Sequence, residues 1–184
     1  RRSREMPEKI DIAIQRFREE KVDCVVVTGD IVDHPFEFMN SPEYLQKGEA
    51  DLLLVRSLLD QLDCPVFIVY GNHDHPLLFR RIFPLHEKPV IVGDYQIYCF
   101  YDEEGTDNIP ERVGGQLERF FEATSNTDQY SQIHIQHYLL YLDVYVKQLV
   151  YMPFLIAINH NFQIHLKFYM DQIPHDYQIK LIFS

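Results

Sequence analysis

Apolar residues in the first 74 positions alternate between helical spacing and short continuous runs. Residues 7–20 and residues 48–62 carry apolar side chains at the spacing of an amphipathic helix. Residues 24–27 and 65–70 are continuous apolar runs rich in β-branched side chains, which is typical of buried strands. The order helix, strand, helix, strand predicts a parallel α/β layer.

The pattern is less regular after residue 74. Further strands are predicted at 95–100, 133–136, 154–158, 162–168 and 177–183, with a helix at 116–123. Residues 138–150 fit either a helix or a strand. No repeat or linker interrupts the chain, so we expect residues 1–184 to form a single domain.

The composition is that of an ordinary globular domain with an acidic surface. Of 184 residues, 46% are hydrophobic and 24% charged, which excludes intrinsic disorder and collagen-like architectures. Lys and Arg number 17 against 28 for Asp and Glu, a net charge of -11. This balance argues against binding of duplex nucleic acid. A small anionic substrate remains compatible with it, because bound cations reverse the local field.

Three cysteines without a C-x-x-C pair do not form a disulfide framework or a zinc knuckle. Cys24 and Cys99 lie in apolar runs, so we expect buried reduced thiols and, from them, a cytoplasmic location. The longest apolar run, residues 149–158, contains Pro153 and is about half the length of a membrane-spanning helix. We expect neither a membrane span nor a signal peptide.

Polar side chains follow both early strands. The runs end at Gly29-Asp30 and at Gly71-Asn72, where glycine allows a sharp turn off the strand. Ligand sites in open α/β sheets lie outside the carboxyl ends of the strands, so Asp30 and Asn72 are expected to meet if these strands are neighbours. A carboxylate and an amide oxygen are suited to holding divalent cations, and a following histidine, His73, suits proton transfer.

Two segments resemble blocks of a known family. Gly29-Asp30-Ile31-Val32-Asp33 and Gly71-Asn72-His73-Asp74 look like the G-D-x-x-D and G-N-H-D blocks of the calcineurin-like metallophosphoesterases. The resemblance extends from Pro7 to about His137. It implies an α/β fold of the metallophosphoesterase type, a four-layer α-β-β-α sandwich with mixed sheets.

The resemblance also implies a centre of two divalent metal ions, either manganese, iron or zinc. Asp30 matches the aspartate that bridges the two ions, and Asn72 matches a ligand of the second ion. His137, at the end of a later predicted strand, matches another ligand of the second ion, and so does His160 in Asn159-His160-Asn161-Phe162. His134 is mid-strand and is interpreted as a packed or surface histidine.

The same resemblance implies roles in catalysis. A metal-bridging hydroxide would attack phosphorus, and His73 matches the histidine that contacts the phosphoryl oxygens and protonates the leaving group. Asp74 and Asp33 match carboxylates that orient the site. These residues predict a phosphatase or phosphodiesterase whose partner is a small phosphorylated substrate, with the oligomeric state left open.

Three departures separate this chain from the family pattern. The final G-H-x-H block has Asn159 in place of glycine and Phe162 in place of its last histidine, and phenylalanine has no lone pair to offer a metal. The opening D-x-H block is absent, because the first helix begins near Pro7 without room for a strand before it. Either the sequence lacks its first strand, which we favour, or the first metal position is degenerate.

Two alternatives to a hydrolase of small phosphate esters remain, and the first follows from these departures. A phosphoesterase-like scaffold that has lost turnover would act as a protein-interaction module. The other alternative is a nuclease, and the lack of a basic stretch argues against it.

Overall fold

The computed structural model describes residues 6–32, 36–105, 110–112, 114–125, 130–138 and 155–158. The helices are α1 (Met6–Glu20), α2 (Pro42–Leu59), α3 (Pro76–Ile82) and α4 (Gly114–Ser125), with a short 3-10 helix at Phe36–Phe38. The strands are β1 (Cys24–Val27), β2 (Val66–Ile68), β3 (Val90–Val92), β4 (Tyr95–Cys99), β5 (Glu103–Glu104), β6 (Pro110–Glu111), β7 (Ser131–Ile135) and β8 (Leu155–Ile158). The strands predicted at 162–168 and 177–183 lie outside the described residues, as does 138–150 apart from Tyr138.

The first sheet has the order β2-β1-β8. β1 and β2 are parallel neighbours, with Val25 opposite Val66 and Val27 opposite Ile68. β8 pairs antiparallel with the other edge of β1. Since β1 and β2 are parallel and adjacent, their carboxyl ends meet at one edge, as the sequence predicted.

The second sheet has the order β3-β4-β7, and a separate hairpin is formed by β5 and β6. β4 pairs parallel with β7, from Tyr95 opposite Ser131 to Cys99 opposite Ile135. β3 pairs antiparallel with β4. Both three-stranded sheets are therefore mixed, in agreement with the expectation of mixed sheets.

Side chains from the two sheets share one hydrophobic core. Alternate residues of β4 point to opposite faces. Ile97 and Cys99 join the buried residues of the first sheet and of α2, whereas Tyr98 and Phe100 pack with Ala123 of α4. The α/β class is confirmed, and the full four-layer sandwich stays a prediction.

Local capping places two helices differently from the apolar pattern. α2 begins at Pro42 rather than at Gly48, because Ser41 caps it: its hydroxyl accepts a hydrogen bond from the Tyr44 backbone N–H at 3.4 Å. α3, which the pattern did not predict, has His75 as its N-cap, followed by Pro76. Among the described residues, no helix is both long and apolar enough to cross a membrane.

Candidate metal and phosphoester site

Two loops emerge side by side from the parallel strands β1 and β2. The Val69 backbone N–H donates to the Val27 carbonyl at 3.0 Å, so the strands remain paired up to the point where the loops begin. Gly29 and Asp30 have φ angles of +97° and +52°. This left-handed turn, which favours glycine, directs the Asp30 side chain toward the second loop.

The second loop passes so close to the first that a side chain at Gly71 has no room. A Cβ there would collide with Oδ1 of Asp30 and lie 2.5 Å from Cε1 of His137. A Cβ at Gly29 would lie 2.6 Å from the Gly71 nitrogen. The sequence predicted that both glycines serve sharp turns. The structure gives Gly29 a positive φ, whereas at Gly71 glycine serves the close approach of the two loops.

Three of the predicted ligand residues converge at this edge of the sheet. Nε2 of His137 lies 3.0 Å from Oδ1 of Asn72 and 3.5 Å from Oδ1 of Asp30. The same Asp30 oxygen accepts a hydrogen bond from the His73 backbone N–H at 3.1 Å. Asp30 and Asn72, which follow different strands, are therefore brought together with His137.

A backbone carbonyl fixes the tautomer of the neutral His137 ring. Nδ1 lies 2.6 Å from the Thr28 carbonyl oxygen, which can only accept, so Nδ1 carries the hydrogen. In the neutral ring Nε2 then presents a lone pair toward the oxygens of Asn72 and Asp30.

Three electron-rich atoms facing one another are stabilised by a shared cation. Adjacent ligands of a divalent ion with bonds of about 2.1 Å in octahedral geometry are about 3.0 Å apart. The 3.0 Å from His137 Nε2 to Asn72 Oδ1 matches this spacing, and the 3.5 Å to Asp30 Oδ1 is slightly longer. An imidazole with two oxygen donors suits manganese, iron or zinc, so the residues fit a divalent metal.

The carboxylate of Asp74 joins the two loops. Its Oδ1 accepts from the backbone N–H groups of Ile31 and Val32 at 2.9 and 3.0 Å, and its Oδ2 accepts from that of Gly71 at 2.9 Å. Asp74 is 1% exposed. Burial raises the pKa of this carboxyl to about 7, and the charge of Asp30 adds to the effect, while the three N–H donors oppose it. Asp74 is thus placed to hold the loops together.

Glu104 of β5 is a charged neighbour that the sequence reasoning missed. Burial raises the pKa of this half-buried carboxyl, the histidines His73 and His137 lower it, and Asp30 raises it. Its charge therefore acts on the candidate site from outside the two loops. A strand of two residues leaves no periodic signal, so nothing in the apolar pattern could have indicated this position.

A buried ion pair holds the β5–β6 hairpin next to His137. The Arg112 guanidinium donates to both Asp102 carboxylate oxygens, at 2.7 and 2.8 Å. It also donates to the side-chain oxygen of Gln136 at 2.7 Å. The Gln136 side-chain amide donates in turn to the Tyr138 carbonyl at 2.8 Å. The residues on either side of His137 are thereby fixed by side chains of neighbouring elements.

The remaining predicted residues lie elsewhere or outside the described part of the chain. His134 packs among the rings of Tyr98, Phe100 and Phe120, which is the first of its two interpretations, a packed or a surface histidine. Asp33 and His160 lie outside the described residues. Within the described ranges, no group of three or more His, Cys, Asp or Glu side chains is arranged to hold a metal ion. The convergence rests on one aspartate, one histidine and one asparagine.

An α/β fold with carboxylate, amide and imidazole donors at the carboxyl ends of parallel strands is typical of enzymes that bind cations and phosphate. Residues 7–182 match the sequence profile of the calcineurin-like phosphoesterases. The chain belongs to this family, as its two blocks predicted. The family is one of metal-dependent phosphoester hydrolases that generally bind two divalent metal ions. No curated protein and no solved structure matches the chain.

Proposed function

We propose that this chain is a metal-dependent phosphoesterase that hydrolyses phosphate mono- or diesters. The observation that carries the proposal is the convergence of Asp30, Asn72 and His137, in which His137 Nε2 lies 3.0 Å from Oδ1 of Asn72 and 3.5 Å from Oδ1 of Asp30. Membership of the calcineurin-like phosphoesterases over residues 7–182 supports the same chemistry.

In this proposal Asp30, Asn72 and His137 hold divalent metal, with His160 as a further ligand and manganese, iron or zinc as the ion. Metal in such a site polarises phosphoryl oxygens and lowers the pKa of water, which is the chemistry that phosphoester hydrolysis requires. The Thr28 carbonyl keeps the hydrogen of His137 on Nδ1 and leaves Nε2 for the metal.

The protein's own groups complete the proposed reaction. His73 follows Asn72 directly, and its backbone is fixed by the hydrogen bond to Asp30, which supports a role as the donor of a proton to the leaving oxygen. Asp74 is assigned a positioning role, because its carboxylate is occupied by three backbone N–H groups. Asp33 is proposed to orient the site as well.

The proposed substrate is a small phosphorylated molecule rather than duplex nucleic acid, because the net charge of -11 disfavours a polyanion. We propose that residues 1–184 act as one domain, which the match over residues 7–182 supports. The free thiols of Cys24 and Cys99, both buried, favour a reducing compartment such as the cytoplasm.

The experiment that tests the proposal compares two aspartate variants of the full chain, loaded with manganese. Asp30→Ala removes the central carboxylate and is expected to abolish hydrolysis of bis(4-nitrophenyl) phosphate and of 4-nitrophenyl phosphate. Asp51→Ala, in the exposed part of α2, is the matched control and should keep parent activity. Unchanged turnover by Asp30→Ala would refute the assignment.

A scaffold without turnover is the second candidate. It is favoured by the lack, among the described residues, of any cluster of three or more His, Cys, Asp or Glu side chains suited to metal. Calorimetric titration of the full chain with manganese discriminates between the two. Two tight sites support the hydrolase, and no binding supports the scaffold.

A further inference from the structure

Three consecutive carboxylates follow β4, and two of them are neutralised by arginine. Asp102 forms the buried pair with Arg112, and Glu103 forms an ion pair with Arg80 at 3.2 Å. Within the part of the chain that the structure describes, Glu104 has no ion pair with Lys or Arg. Glu104 is nevertheless half-buried, so its charge is only partly screened by water.

The topology brings this carboxylate to the same edge of the second sheet as His137. β4 and β7 are parallel, so Asp102 and His137 follow strand ends at the same edge of the second sheet. Successive side chains of a strand point to opposite faces. Since Glu103 turns to Arg80, Glu104 lies on the other face.

Asp102, two residues before Glu104, is joined through Arg112 to Gln136, the residue that precedes His137. The charges of His73 and His137 lower the pKa of the Glu104 carboxyl and that of Asp30 raises it, in keeping with this position. These residues come from both loops and from the end of β7, so the charge of Glu104 acts on the space that the proposed ligands surround.

We propose that Glu104 is a specificity-determining residue that disfavours phosphate groups carrying two negative charges, and so directs the site toward phosphodiesters. This inference rests on the proposed function. A monoester carries close to two charges near neutral pH, because its second pKa is about 6, and a diester carries one. A fixed carboxylate at the rim repels the extra charge, with an expected effect of about tenfold on relative affinity.

The test uses two variants of the same hairpin, each of which replaces one glutamate by uncharged glutamine, in the full, manganese-loaded chain. Glu104→Gln should raise kcat/KM for 4-nitrophenyl phosphate about tenfold relative to that for bis(4-nitrophenyl) phosphate. Glu103→Gln removes the same charge on the opposite face and should leave the ratio unchanged. Equal ratios in the parent and both variants, or the same rise in both variants, would overturn the inference.

A binding measurement separates this inference from the proposed function. In calorimetric titrations at alkaline pH, Glu104→Gln should tighten binding of inorganic phosphate, a dianion, about tenfold and leave binding of dimethyl phosphate, a monoanion, within twofold. If the parent chain hydrolyses neither ester, the proposed function is contradicted. The ratio of the affinities for inorganic phosphate and dimethyl phosphate then still tests the role of Glu104. Phosphate binding that Glu104→Gln leaves unchanged overturns that role even in an active enzyme.

Discussion

Nε2 of His137 lies 3.0 Å from Oδ1 of Asn72, although the two residues are 65 positions apart in the sequence. Their contact joins the end of β7 in the second sheet to the loop after β2 in the first. The candidate site therefore depends on the packing of the two sheets against each other, and not on either sheet alone.

Replacement of His137 separates metal binding from folding. We expect His137→Ala to weaken manganese binding about 100-fold or more, because Nε2 is the only nitrogen among the three converging donors. His134→Phe, three residues earlier and packed among aromatic rings, should bind manganese as the parent does. Calorimetric titration measures both, and equal affinities for the two variants would contradict the placement of His137.

Gly71→Ala tests the close approach of the two loops. The added Cβ would lie 2.6 Å from the Asp30 nitrogen and 2.5 Å from Cε1 of His137, so backbone and ring must shift. We expect the free energy of unfolding to fall by about 3 kcal/mol and manganese binding to be lost.

The control for that variant is a glycine with open surroundings. A Cβ at Gly115, in the first turn of α4, meets no atom within 4 Å. Gly115→Ala should be neutral or stabilising by up to about 1 kcal/mol, because alanine favours a helix. Urea denaturation compares the two variants, and an equal loss of stability would count against the described loop geometry.

Gln136→Met tests whether the hydrogen bonds beside His137 hold it in position. This variant keeps the Asp102–Arg112 ion pair but removes the bonds to Arg112 and to the Tyr138 carbonyl. We expect manganese affinity to fall about tenfold, the range found when residues that orient metal ligands are lost.

Gln132→Met provides the comparison on the same strand. Gln132 donates to the Ala123 carbonyl at 2.8 Å, at the far end of β7 from His137. Its replacement should lower the unfolding midpoint to a similar degree and leave manganese affinity unchanged. If both variants bind manganese equally well, the bonds of Gln136 have no part in positioning His137.

Protonation of His134 should contribute a loss of stability in mild acid. Burial lowers the pKa of this histidine below 6.5, and the charge of Arg112 adds to the effect. The unfolded chain therefore binds the proton more tightly. The stabilisation by the neutral ring is present above about pH 6.5 and is lost as the pH falls.

The corresponding measurement is the urea midpoint between about pH 7.5 and about pH 5.5. The buried Asp74 carboxyl, whose pKa is raised to about 7, contributes the opposite pH dependence to both proteins. The midpoint of the parent should therefore fall with decreasing pH relative to that of His134→Phe, which keeps an aromatic ring in place of the imidazole. Identical slopes in the two proteins would show that His134 does not contribute to this pH dependence.

The sequence was sufficient for the parallel strands and for the residues that follow them. The continuous apolar runs of β1 and β2, each ending in glycine, predicted both the strands and the meeting of Asp30 with Asn72. His137 was identified through the family resemblance, and the structure brings it to the same point. Capping was underestimated: Ser41 starts α2 at Pro42, and the apolar pattern indicated the helix only from Gly48.

The hairpin of β5 and β6 could not be predicted in this way. Its strands have two residues each. The acidic run of Asp102, Glu103 and Glu104 is typical of a solvent-exposed surface. Only tertiary packing distinguishes the three. One is buried against Arg112, one pairs with Arg80, and the charge of the third acts on the candidate site.

Asp74 couples the positions of the two loops that follow β1 and β2. Its two oxygens accept hydrogen bonds from both loops at once, so a displacement of either loop strains the other. An insertion or deletion in one of them would carry a penalty for both. Substitutions at this edge of the sheet are therefore tolerated only if they preserve the relative position of the two loops, which are separate in the sequence.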